Sequence, residues 1–81
     1  MLKRNKMKSD VILLLHELMY KPKGNMRFSE IRRAQSYKFS IETRVLLMYC
    51  AQRSFVNLDN DYIQLTDAGL DYYLANKRQL S

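Results

Sequence analysis

Few side chains in this sequence have the chemistry for covalent or metal work, and those few are scattered. His16 is the single histidine and Cys50 the single cysteine, and neither has a second such residue at ligand spacing. A bound metal therefore has no sequence support. With only two glycines in 81 residues there is no glycine-rich phosphate loop, and no Ser–His or Cys–His pair has the surrounding sequence that catalysis requires. The expectation is a chain without catalytic residues, cofactor or small-molecule substrate, and so not an enzyme. Positive charge is abundant instead. The formal net charge is +6, and residues 1–44 hold eleven Lys/Arg against four acids, net +7, while residues 45–81 hold three against four. A basic field confined to one half is the electrostatic footprint of a nucleic-acid binder. Many small basic proteins carry such charge simply as solvated surface.

The elements that must position this charge can be read in order. Residues 1–8, MLKRNKMK, carry four positive charges and form a basic N-terminal arm. Such an arm suits DNA phosphate or a minor groove, and a frayed terminus is the plain alternative. Ser9 is placed to cap a first helix, with Asp10 in its first turn and the end near Tyr20. Val11, Leu14, Leu15 and Leu18 follow the spacing of one buried helical face, while Ile12, Leu13 and Met19 fall off it. A helix apolar on more than one side needs more than one neighbour. Ile12 and Met19 are accordingly assigned to a homodimer interface, together with Tyr72 near the far end of the chain. Lys21-Pro22-Lys23-Gly24-Asn25 is a loop.

Asn25-Met26-Arg27 is short enough for a small strand, and Phe28 to about Gln35 forms a second helix with Phe28, Ile31 and Ala34 inward. After a turn at Ser36–Phe39, Ser40 caps a third helix from about Ile41 to Arg53. Spacing anchored on Leu47 places Thr43, Cys50 and Ala51 inward, with Ile41, Glu42, Arg44, Val45, Met48, Tyr49 and Gln52 on the outer arc. Val45 and Met48 read equally well as extra core. Phe55–Leu58 and Tyr62–Leu65 alternate around Asp59-Asn60-Asp61, which suits a hairpin with a tight three-residue loop. Thr66 caps the last helix, in which Leu70, Tyr73 and Leu74 share a face.

Together, RFSEIRR, the helix opened by FS and closed at SFV, and the ending Y-x-x-L-T-x-x-G-x-x-x-Y-L resemble the small winged helix–turn–helix transcription regulators. The MarR-like and HxlR-like groups and the compact versions of archaea and their viruses are the nearest in pattern. The resemblance spans roughly Ser9 to Asn76. It implies an α+β, mostly helical fold of three to four helices with a hairpin wing, as a single domain over residues 9–78. It also implies a homodimer on double-stranded DNA, reading a roughly palindromic site and repressing by occlusion.

Carried onto this sequence, the family geometry lays the second helix across the DNA backbone, making Arg32 and Arg33 candidates for phosphate contact. The third helix becomes the recognition helix, where Arg44 suits guanine, Thr43 or Val45 a thymine methyl, and Glu42 cytosine. Arg27, Lys38 and Ser40 complete the expected DNA-binding set. The wing departs from the family, because two aspartates at its tip repel phosphate where Lys or Arg is usual. That departure, with the apolar Val45/Met48/Tyr49 arc, supports a protein–protein module as the rival reading. Six tyrosines keep RNA binding open, since exposed aromatics stack on bases.

Size and cysteine usage set the remaining bounds. A chain of 81 residues buries little more than about 60% of its unfolded surface, so its core is marginal. No run approaches the length of a membrane span, and Val11–Leu15 is broken by His16 and Glu17. Cys50 allows no internal disulfide and lies in an apolar run as a small buried residue. A reducing, cytoplasmic location is the expectation.

Overall fold

The computed structural model describes residues 6–31, 33, 39 and 41–80. Helix α1 (Lys6–Met19) leads through a single 3₁₀ turn (Pro22–Gly24) into strand β1 (Asn25–Arg27). Residues 28–31 and 33 are helical (α2), and helix α3 spans Thr43–Gln52. A hairpin of β2 (Val56–Asp59) and β3 (Tyr62–Leu65) follows, then helix α4 (Asp67–Asn76) and a closing 3₁₀ turn (Lys77–Leu80). The chain is thus α+β and mostly helical, with a small antiparallel sheet in the order β1-β3-β2. This arrangement is compatible with a winged helix.

Helix α1 is the hub of the core. Val11, Leu14, Leu15 and Leu18 are all fully buried, as the spacing predicts, and Ile12 joins them at 0% exposure. Around them close Leu46, Leu47 and Cys50 of α3, Met26, Val56 and Ile63 of the sheet, Ile31 of α2 and Tyr73 of α4. The start of α1 corrects the sequence reading. Residues 6–8, assigned to the arm, are helical, so Ser9 and Asp10 lie inside α1 rather than at its cap. Met7 packs against the core and favours the extra turn. Asp10 is 2% exposed, and its carboxylate accepts a hydrogen bond from the Ile41 N–H at 2.5 Å. Its role is therefore tertiary: it ties α1 to the segment entering α3. Among the described residues no helix is long and apolar enough to cross a membrane.

Local chemistry fixes the joints. Glu30 accepts from the Arg27 N–H at 3.2 Å, the reach of an N3 carboxylate back to its helix cap, and pairs with Lys21 at 3.0 Å. The Lys21 ammonium, followed by the Arg27 N–H, holds the Glu30 carboxyl below its ordinary value. Helix α3 is capped by Glu42, whose side chain accepts from the Val45 N–H at 3.3 Å, not by Ser40 as expected. Ser40 itself lies outside the described residues.

The end of α3 is a Schellman motif, with Ser54 N–H to Ala51 O at 3.0 Å and Phe55 N–H to Cys50 O at 2.9 Å. The left-handed residue of that motif is Ser54, at φ +63°, where glycine is the usual choice. Spending the Phe55 N–H on this cap explains why β2 begins at Val56, one residue later than expected.

The hairpin register pairs Asp59 with Tyr62, Leu58 with Ile63 and Val56 with Leu65. The tip is therefore two residues, Asn60 and Asp61, instead of the expected three, with Asn60 taking φ +54°. Strand β1 adds to the other edge of β3, with Met26 opposite Ile63 and Arg27 opposite Tyr62. Thr66 caps α4 as expected, accepting from the Gly69 N–H at 3.0 Å while its hydroxyl donates to the Ser54 carbonyl.

Candidate nucleic-acid interface

Helix α3 divides cleanly between core and solvent. Thr43, Leu46, Leu47 and Cys50 are buried, and Arg44, Val45, Met48 and Gln52 are exposed. Val45 and Met48 are 50% and 54% exposed, so the alternative in which they extend the core fails. Thr43 is 2% exposed, on the inward face where the spacing places it, which removes it from the expected DNA contacts. The helix begins at Thr43, so its first residue serves to seal α3 onto the core. Leu46, which the spacing had not assigned, completes that seal. Burial pushes the Cys50 thiol up to about 12, in keeping with an inert core residue.

Of the remaining expected contacts, Arg44 is exposed on the outer arc beside Val45, and Arg33 is exposed on α2. Among the described residues Arg44 has no ion-pair partner. Glu42 is exposed but already engaged as the helix cap. Arg27 is exposed on β1, yet its guanidinium is held by the chain itself. Its Nε donates to the Tyr62 hydroxyl at 3.4 Å, and its Cζ lies 5.5 Å from the centre of that ring. Tyr62 raises the Arg27 pKa further, with smaller contributions from Asp61 and Glu30. Arg32, Lys38 and Ser40 lie outside the described residues.

The expected dimer contacts sit differently from the sequence reading. Ile12 is interior to a single chain, so it cannot meet a second copy; α1 uses its extra apolar side against its own α3 and α4. Met19 is half-buried against the core. Tyr72 stacks on Phe55 with ring centres 4.5 Å apart, an internal contact. Leu74, placed inward by spacing, is 49% exposed. Lone His16 is accounted for as well: its Nδ1 lies 2.6 Å from the Tyr73 hydroxyl, and its ring meets Tyr20 edge-on at 4.8 Å.

The sequence reading missed a groove between α3 and the hairpin. It encloses about 280 Å³ and is walled by Leu47 and Met48 of α3, Leu58, Tyr62 and Ile63 of the hairpin, and Phe28. Arg44 lines it from the helix and Asp61 from the hairpin tip. The signal was present in the alternation of β2. Leu58 shares a face with Val56 and pairs with the buried Ile63, but it lies on the edge strand β2 and is 50% exposed.

The class defined by these observations is a mostly helical α+β domain in which a three-stranded sheet flanks an exposed helical arc. Comparison with known protein families, curated proteins and solved structures finds no match to this chain.

Proposed function

We propose that this chain binds double-stranded DNA, with α3 as the groove-reading helix, and acts as a winged helix–turn–helix regulator. The observation that carries the reading is the outer arc of α3. Its N-terminal half presents at Arg44 a guanidinium without an ion-pair partner among the described residues, beside the exposed aliphatic side chain of Val45, while its inner face is sealed to the core. A rigid helix offering one bidentate donor and one apolar contact has the chemistry of major-groove readout. The net +7 of residues 1–44, to which Arg33 contributes from α2, supplies the electrostatic part of the affinity. Repression by occlusion is the simplest regulatory outcome.

A gel-shift titration of duplex DNA across salt concentrations tests the reading. Binding should weaken steeply with salt. Arg44→Ala should relax sequence preference, and Arg33→Ala should weaken binding to all sequences and lower the salt slope by about one. Absence of duplex binding at low salt would remove the proposal.

A further inference from the structure

The groove between α3 and the hairpin has a charge layout that suits a second copy of the same surface. Its floor and walls are apolar, with Arg44 on the helix side and Asp61 on the hairpin side. Although both line one groove, they do not pair with each other, and among the described residues neither forms an ion pair within 4 Å. The rim continues as exposed apolar surface: Val45 50%, Met48 54% and Leu58 50% exposed. Clustered exposure of large apolar side chains marks an interaction surface.

A two-fold interface must be complementary to itself, each residue i meeting j while j meets i. A patch with an apolar centre, a cation on one side and an anion on the other meets that condition. We propose that two copies of this chain associate through this face, with Met48 and Leu58 meeting across the axis and Arg44 of each copy paired with Asp61 of the other. Of the neighbouring charges, Arg27 hydrogen-bonds the Tyr62 hydroxyl and also acts on Asp61 from within the chain, while Asp59 lies opposite Tyr62 on the other face of the hairpin from Leu58. The acidic tip, which repels phosphate, then has a positive partner.

This dimer does not rest on the DNA reading, but it bears on it. The same arc of α3 is covered in the pair, so a dimer of this kind withholds Arg44 from any other partner. Self-association and duplex binding would compete, and the free monomer would be the binding form.

A charge exchange read by sedimentation equilibrium tests the proposal without DNA. The unmodified chain should show a concentration-dependent monomer–dimer equilibrium that weakens with salt. Arg44→Glu and Asp61→Lys should each weaken the dimer by about tenfold or more, because each places like charges together at two symmetric points. The double variant Arg44→Glu/Asp61→Lys should restore it. Met48→Glu should abolish it with the far-UV circular dichroism unchanged, since the side chain is exposed in the monomer. A chain that stays monomeric at high micromolar concentration would overturn the proposal. So would a dimer indifferent to both single reversals, or a double variant no better than either single one.

Discussion

Gly69 offers a test in which two physical accounts predict opposite signs. It lies inside the first turns of α4, where alanine is ordinarily the better helix residue by about 1 kcal/mol. Here a Cβ would lie 2.1 Å from the Phe55 carbonyl oxygen and 2.9 Å from Leu65 Cδ1. The nearer obstacle is backbone and cannot rotate aside. Reaching an ordinary contact requires α4 to retreat by about 1 Å from the end of α3 and the hairpin, the scale of overpacking that costs about 1–3 kcal/mol.

The retreat also strains two bonds across that joint, Thr66 N–H to Phe55 O at 3.1 Å and the Thr66 hydroxyl to Ser54 O. Each is worth about 1 kcal/mol. Set against the helix-propensity gain, Gly69→Ala should destabilise by about 2–3 kcal/mol. For a domain of this size that lowers Tm by roughly 10–20 °C. Thermal melts followed by circular dichroism, with Ala68→Gly on the exposed side of the same turn as control, measure both effects. A Gly69→Ala protein as stable as the parent, or more so, would refute the steric argument.

Three further outcomes follow from other joints. Ser54→Gly should stabilise by about 1 kcal/mol, because the left-handed φ of +63° penalises a Cβ; urea midpoints with an unchanged m-value would show it. Asp10→Ala should destabilise by about 2 kcal/mol, since it orphans the Ile41 N–H at the entry to α3, and faster amide exchange at Ile41 would localise the loss. Cys50, with its thiol raised to about 12 by burial, should resist iodoacetamide at pH 8 in the folded chain and react at ordinary speed in denaturant. Equal rates in the two states would contradict its burial.

The two helical faces that matter most were legible to different degrees. The α1 stripe Val11, Leu14, Leu15 and Leu18 needed only the helical period, because one buried face fixes one spacing. The β1 strand, the capping of α4 by Thr66 and the hairpin position were equally local, written in a few adjacent residues. In α3 the period identified the helix but left Val45 and Met48 undecided between core and surface, since both readings fit an apolar residue on the flank.

What the sequence alone determined was therefore local: the order of elements, the main apolar stripe, the cap at Thr66, and the confinement of positive charge to the N-terminal half. Tertiary structure decided everything that depends on which residues meet at a distance. It turned Asp10 from a helix-start charge into a clamp on Ile41, buried Ile12 against its own chain, and decided Thr43 for the inward face over the base contact. It joined Leu58 and Asp61 to Met48 and Arg44 across one groove. Short-range rules encode a residue's own conformational preference, whereas burial and pairing belong to the packed arrangement as a whole.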